Sequence, residues 1–397
     1  MISEDEALRR VLESVQPGPV IALPLLEAVG LGCAARLTAS VPLPRFDNSM
    51  MDGYALHAAD SGAGSPLRVT GCQPAGADLG LSCNAGEAVR IFTGAPMPAG
   101  ADAVIMQEDV DLGPGGLLCR EPVQPGENIR RAGAELCAGQ VLLEPGDVLT
   151  PARLGLLASQ GLATVPVHAP TRSAVLSTGN ELRQPGEPLD AGQIYNSNAV
   201  MLQALLLRAG LRAPATVHSP DDLDATVTAL DQLASEREVV LISGGVSVGD
   251  HDQVKPALRV LGIEPELWRV KVKPGKPFLF ARQQRGERSV AFFGLPGNPV
   301  SAFITFHLFV LPALQRLQGR RSEPPLRLTA VSGQDLHNDG DRPHYLRGTL
   351  IDGVFHVRGL QLSHALFGLT QSGALMRLEP GARVQAGDGI QVLPLPG

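Results

Sequence analysis

Aromatic residues are scarce in this chain of 397 residues, at 4%, with one Trp and three Tyr. That gives little support to single-stranded nucleic-acid binding through stacked bases. Charged residues are only 18%, and the balance is acidic, with 33 Lys and Arg against 40 Asp and Glu. No global basic field is available to draw nucleic acid or an anionic membrane, so any anion must be held locally. Cysteine is sparse and unclustered: Cys33, Cys72, Cys83, Cys119 and Cys137 form no CxxC pair and no Cys–His group. Free thiols in a reducing cytoplasm are expected, and a zinc site is not. Met1 to Arg10 is charged and lacks the apolar core of a signal peptide. Ser289 to Gln315 has no Asp, Glu, Lys or Arg. It is broken by Gly294, Pro296, Gly297, Asn298 and Pro299, and its apolar part falls short of the ~20 residues that cross a bilayer. It reads as a buried strand, a tight loop and a buried helix.

What the chain does have is glycine and proline, 45 and 33 residues. Many short elements are expected. The first 40 residues read as helical, with breaks at Pro17, Gly18 and Pro19. From Val41 to Ala138 short apolar runs alternate with turns, such as Leu67–Gly71 and Ala88–Phe92, which is an all-β texture. A helix restarts at Thr150-Pro151, so the β region looks inserted. Between Arg172 and Gln318 strands alternate with helices. The strands are Ser173–Leu176, Glu238–Ile242 and Ser289–Phe293. The helices are Asn196–Ala209, Asp222–Ser235, Gln253–Leu261 and Val300–Leu317, and the second is capped by Asp221 or Asp222. This alternation predicts a doubly wound parallel sheet covered on both faces. From Pro324 onward, short strands predict a small β-barrel or sandwich.

Three loops of the α/β region share one design. Each follows an apolar strand, is rich in glycine and leads to a helix. They are Ser177-Thr178-Gly179-Asn180-Glu181, then Ser243-Gly244-Gly245-Val246-Ser247 running on to Gly249-Asp250-His251-Asp252, and Gly294-Leu295-Pro296-Gly297-Asn298-Pro299. In a parallel sheet all three emerge at the carboxyl edge, where ligands bind. Their N–H groups and the following helix N-termini suit phosphate. Glu181, Asp250 and Asp252 sit in the same loops. Carboxylates beside phosphates are reconciled by Mg²⁺, typically held by one or two carboxylates plus substrate phosphate. The chain's lysines number four, and three fall in Lys271-Val272-Lys273-Pro274-Gly275-Lys276. Lys is a compact charge suited to a small tetrahedral anion. The β region adds Pro44-Arg45-Phe46-Asp47-Asn48-Ser49-Met50-Met51-Asp52-Gly53-Tyr54-Ala55 and polar loops around Thr93 and Arg130.

These stretches resemble the molybdopterin molybdenumtransferase family, MoeA, whose animal relative is the gephyrin E domain. The resemblance spans the chain. It rests on FDNSMMDGYA, RIFTGAPMPAGADAVIMQED, NIRRAG, LSTGNEL, GQIYNSN, LISGGVSVGDHD, KPGKPF and GLPGNPVSAF. It implies a helical linker domain (1–40 and 139–171), an inserted β domain (41–138), a MogA-like α/β domain (172–320) and a C-terminal β-barrel (323–397). It also implies a cytoplasmic homodimer, with a cleft between the α/β domain of one subunit and the inserted domain of the other. No nucleic-acid or membrane partner is expected. Transient contact with the molybdopterin adenylyltransferase and with acceptor molybdoenzymes is implied.

The implied reaction inserts molybdenum from molybdate into adenylylated molybdopterin, with Mg²⁺ and release of AMP. By motif position, Asp52, Thr93, Glu181, Asp221, Asp250 and Asp252 would serve metal and phosphate chemistry, with Asp250, Asp252 and Glu181 as metal ligands. Ser177, Thr178, Gly179, Gly244, Gly245, Ser247, Gly297 and Asn298 would line the pterin-nucleotide site, its last loop shaped by Pro296 and Pro299. Lys273 and Lys276, with Ser301 and Arg347, would hold molybdate. Three departures stand out: Glu135 where Asp is frequent, Met50 before Met-Asp-Gly, and Gly368 where a second Ser is often found. An adenylyltransferase of the same pathway shares the α/β domain but normally consists of it alone. A scaffold with a silent site would lack the acids and lysines present here.

Overall fold

The computed structural model describes residues 1–62, 64–212, 214–246, 252–321 and 325–395. The chain forms two compact units. One comprises Arg36–Glu144 with Gly155–Leu162; the other comprises Met1–Ala35, Pro145–Leu154 and Ala163 onward.

The smaller unit is built on a four-stranded sheet. Gly53–Leu56 pairs antiparallel with both Glu87–Ile91 and Ala103–Met106, and Arg68–Gln73 lies parallel to Glu87–Ile91. Ala88, Ile105, Leu56 and Leu117 are fully or almost fully buried and form its core. Gly53 has no room for a side chain, because a Cβ would lie 1.9 Å from the Ile105 carbonyl oxygen. The preceding Met50–Asp52 segment is held by Met50 N to Asn128 O at 2.8 Å and Gln107 N to Asp52 O at 3.1 Å.

The larger unit centres on a six-stranded sheet. Its strands are β1 (Ser173–Thr178), β2 (Ala215–Ser219), β3 (Val239–Ser243), β4 (Pro265–Trp268), β5 (Leu279–Arg285) and β6 (Arg288–Leu295), in the order β2-β1-β3-β6-β5-β4. β2, β1, β3 and β6 are parallel. Alternate side chains serve opposite faces. Val175, Leu241 and Phe293 join one core, while Leu176, Ile242 and Phe292 join the other. The helices α1 (Ser197–Arg208) and α2 (Leu223–Glu236) supply Leu202 and Leu206 to the first core and Leu230 and Leu233 to the second. α3 (Val254–Val260) and α4 (Pro299–Thr305) complete the two layers.

The doubly wound parallel sheet carries an antiparallel edge that the strand–helix alternation did not show. β5 runs antiparallel to β6, and β4 antiparallel to β5. Gly286 at φ +61° turns β5 directly back into β6, and a hairpin of this kind can only pair antiparallel. The helix expected over Val300–Leu317 is also interrupted. A π turn at Phe306–Val310 separates α4 from Leu311–Leu317, and Leu311 N–H bonds back to Phe306 O. Pro312 has no N–H to continue a regular ladder. The whole Pro299–Leu317 span is long and apolar enough to cross a membrane, yet 67% of its apolar window is buried. Phe306, Phe309 and Val310 pack into the core of the α/β sheet.

The helical reading of the first 40 residues holds only for Glu4–Ser14, capped by Ser3, and for a 3₁₀ turn at Leu25–Ala28. Val20–Pro24 is instead a strand, antiparallel to Thr164–His168. Pro17, Gly18 and Pro19 end the helix, and the β-branched Val20 and Ile21 favour the extended pairing. At the C-terminal end β7 (Leu328–Ser332), β8 (His344–Ile351), β9 (Val354–Val357), β10 (Ala374–Leu378) and β11 (Gly389–Pro394) close a barrel in the order β7-β9-β8-β10-β11.

Candidate functional site

Strand register brings the three Gly-rich loops together. Ser177 of β1 lies opposite Ser243 of β3, and Ser243 lies opposite Leu295 of β6. The next residues on all three strands therefore leave the sheet side by side. They line a cavity of about 560 Å³. Its walls include Thr178, Gly179, Glu181, Asp221, Gly244, Gly245, Asp252, Pro296, Gly297, Asn298 and Pro299.

Local structure fixes each wall. Gly244 and Gly245 have φ of +91° and +61°, and a Cβ on either would press on Thr178. Only glycine turns the chain there without strain, and Gly244 N donates to Leu295 O at 3.2 Å, which ties the second loop to the third. Asp222, rather than Asp221, caps α2, with its Oδ1 accepting from Ala225 N at 2.8 Å. Asp221 is thereby left at the cavity, in a reciprocal pair with Asn180. Asn180 N donates to Asp221 Oδ2, and Asp221 N donates to Asn180 Oδ1, each at 3.2 Å.

Asp252 is the most unusual acid. Its side chain is 6% exposed, and its Oδ2 lies 3.5 Å from Lys255 Nζ. Among the described residues neither carboxylate oxygen finds a hydrogen bond of normal geometry. Burial pushes its carboxyl up to about 6, against the opposing pull of Lys255. Lys255 Nζ in turn sits 3.9 Å from the Trp268 ring centroid. A buried acid whose nearest partner is one ammonium group at 3.5 Å is suited to a further cation. The expected partner Asp250, together with Ser247 and His251, lies outside the described residues.

Other expected residues fall elsewhere. Ser177 is fully buried and does not line the cavity, and its hydroxyl has no partner among the described residues. Lys273 and Lys276 are exposed on a loop whose backbone is pinned by Lys273 N to Pro343 O at 2.9 Å and Tyr345 N to Lys273 O at 2.8 Å. Neither lysine lines the cavity, although Pro277 beside them does. Ser301 is buried in α4. Arg347 is 1% exposed, and its guanidinium donates to the carbonyls of Ala365 at 2.9 Å, Leu362 at 3.3 Å and Leu360. It braces the segment carrying Ser363, whose carbonyl accepts from Val300 N at 3.1 Å. Lys273, Arg347 and Arg342 also surround the buried His344, whose imidazole is lowered to about 4, mainly by burial.

In the smaller unit Asp52 Oδ1 accepts from Thr93 N at 2.8 Å and Thr93 Oγ1 at 2.9 Å. These two donors hold its carboxyl below the usual range, with a smaller contribution from Arg90. Asp47 Oδ1 accepts from Ala132 N at 2.8 Å, and its Oδ2 pairs with Arg131 at 2.6 Å. Met50, Met51 and Phe46 are exposed around this pair of acids.

Tyr195, Asn196, Ser197, Asn198 and Ser243, which lie within GQIYNSN and at the start of the second Gly-rich loop, were given no site role from sequence, yet all are in the cavity wall. The signal was present as the polar run Asn196-Ser197-Asn198 opening α1, which reads equally as an ordinary helix cap.

Comparison with known proteins matches this chain to three family descriptions: "MoeA N-terminal region (domain I and II)" over residues 2–161, "Probable molybdopterin binding domain" over 174–316, and "MoeA C-terminal region (domain IV)" over 329–395. A molybdopterin molybdenumtransferase from Haemophilus influenzae is 36% identical over 403 residues, covering 99% of this chain and 98% of that protein. The chain belongs to the MoeA family of molybdopterin molybdenumtransferases. Family members are transferases, and the family's place is in molybdenum-cofactor biosynthesis. Molybdopterin molybdenumtransferase 2 from Mycobacterium tuberculosis is likewise 36% identical, over the full length of both chains. Among solved structures, a MoeA protein from Pyrococcus horikoshii superposes with a TM-score of 0.81 at 28% identity, covering 99% of each chain.

Proposed function

We propose that this chain inserts molybdenum from molybdate into adenylylated molybdopterin, in the presence of Mg²⁺, and releases AMP. The observation that carries the reading is the convergence of three Gly-rich loops and three carboxylates, Glu181, Asp221 and Asp252, on one cavity. Exposed loop N–H groups favour phosphate oxygens, while the carboxylates would repel them unless a cation intervenes.

The residues present fit Mg²⁺. Asp252 offers two hard oxygens that are buried and poorly satisfied. Among the described residues no cluster of three His, Cys, Asp or Glu could enclose a metal. An ion completed by substrate phosphate needs only one or two protein carboxylates. Asp252 and Glu181, with Asp250, would hold it. Bound there, Mg²⁺ would neutralise phosphate charge during AMP departure.

The chain's own groups do the rest. Gly245 and Gly297 bring backbone donors to the phosphates, Gly179 and Gly244 let the first two loops turn tightly, and Pro296 and Pro299 stiffen the third loop. Asp221 orients the first loop through Asn180. Lys273 and Lys276 attract molybdate by charge, with Ser301 beside them and Arg347 holding the 360–365 segment in place. Asp52, locked by Thr93, serves from the smaller unit. The four-domain division, the homodimer, a cytoplasmic location and transient contacts with the adenylyltransferase and acceptor molybdoenzymes are parts of the same proposal. Purified protein given adenylylated molybdopterin should release AMP only when molybdate and Mg²⁺ are both present. AMP release independent of either would refute it.

A further inference from the structure

Asp252 does not stand alone in the cavity wall. It opens a short chain of contacts that the reaction above does not use. Asp252 Oδ2 lies 3.5 Å from Lys255 Nζ, and the Lys255 side chain is only 18% exposed. The same Nζ lies 3.9 Å from the centroid of the Trp268 ring. Trp268 ends β4, and its indole Nε1 donates to Val246 O of the second Gly-rich loop at 3.4 Å. Three elements therefore meet at one ammonium group: the loop carrying Asp252, α3 carrying Lys255 and β4 carrying Trp268.

This geometry differs from that of a permanent ion pair. Charge-assisted N–H···O bonds settle at about 2.7–2.9 Å, and this contact is longer. The ammonium also has a second berth in place, the face of an indole, which is the best aromatic partner for a cation. Lys is a compact charge on a flexible stem, so it can give up one berth and keep the other. Before a metal ion arrives, such a group is needed, because a buried carboxylate without a positive neighbour is costly. Once a dication sits on the same carboxylate, the ammonium is repelled at short range.

We propose that Lys255 is a placeholder cation for Asp252: it neutralises the carboxylate until a divalent metal ion takes its place, and Trp268 retains the displaced ammonium. Lys255 and Trp268 are positioning residues, since neither is placed on the substrate. The inference rests on the reading of Asp252 as a metal ligand. It adds that metal affinity is set by an exchange of cations rather than by capture on a bare acid.

The test measures metal binding directly, with AMP present to supply the phosphate. Mn²⁺ takes the same oxygen ligands as Mg²⁺, and its binding is counted by the loss of the free-ion EPR signal. The native protein should bind Mn²⁺, and Asp252→Asn should not. Lys255→Met keeps the length of the stem and removes the competing charge. It should bind Mn²⁺ roughly 10-fold or more tightly, as the loss of one competing charged contact implies. Trp268 is the single Trp of the chain, so its emission reports on the ammonium beside it. Saturating Mg²⁺ with AMP should change that emission in the native protein and leave it unchanged in Lys255→Met. Lys255→Gln replaces Lys255→Met if the latter does not fold, and the native emission response decides if neither does. Unchanged or weaker Mn²⁺ binding in the lysine variant, or native emission indifferent to Mg²⁺, would overturn the proposal. Either result leaves the metal reading standing as long as Asp252→Asn abolishes Mn²⁺ binding. Failure of the native protein to bind Mn²⁺ would remove the metal reading and this inference together.

Discussion

Lys276 is one of four lysines in the chain, on an exposed and firmly pinned loop. A dianion held by converging ammonium groups gains about 1.5–3 kcal/mol for each charge-assisted hydrogen bond. Lys276→Ala should therefore raise the molybdate half-saturation point of AMP release by roughly 10- to 150-fold. Pterin-nucleotide binding should change much less, since the Gly-rich loops hold the phosphates. Lys276→Arg should rescue only partly, because a planar fork fits a small tetrahedron poorly. An unchanged molybdate titration for Lys276→Ala would remove the lysine from the site. For Asp252 the expectation is a loss of AMP release in Asp252→Asn without a fall in melting temperature. The amide keeps the shape and removes a buried, poorly satisfied charge. Wild-type turnover at saturating Mg²⁺ would contradict the metal role.

At the level of elements, β8 of the barrel carries His344 into a crowded positive environment. Burial, with Lys273, Arg347 and Arg342 nearby, lowers its imidazole from 6.5 to about 4. Between those values the unfolded chain binds a proton that the folded chain does not. Stability therefore rises with pH across this window and is lost as pH falls from about 6.5 toward 4. Urea midpoints measured at pH 4.5 and 7 should differ less in His344→Gln than in the native protein. An equal difference in both would show that the imidazole does not titrate this way.

The same elements show how far the sequence could be read. β1 and β3, with their glycine turns, were legible because uninterrupted apolar runs followed by glycine have few alternatives. β5 was not, because Arg282, Gln283, Gln284 and Arg285 mask its strand character, and the lysine loop before it reads as irregular. The convergence of Gly244 with Gly179 and Gly297 follows from strand register, which pattern alone suggests but does not fix. Asn196 and Asn198 escaped because an amide at a helix start already has a sufficient local role. The burial of Arg347 escaped because a single Arg in a β-strand reads as exposed.

For the whole molecule, the proposed homodimer predicts a light-scattering mass of twice the chain's 41.6 kDa at micromolar concentration. A monomer mass with full activity would contradict it. The two compact units carry their acids separately, Asp52 with Thr93 in one and Glu181, Asp221 and Asp252 in the other. The account needs both sets for a single reaction, so substitution in either should abolish the same product. The decisive measurement is the stoichiometry of that reaction: molybdenum incorporated into the pterin product per AMP released, with Mg²⁺ present. The account predicts one molybdenum per AMP in the native protein, and neither product in Asp252→Asn. Steady AMP release without molybdenum in the pterin would contradict it.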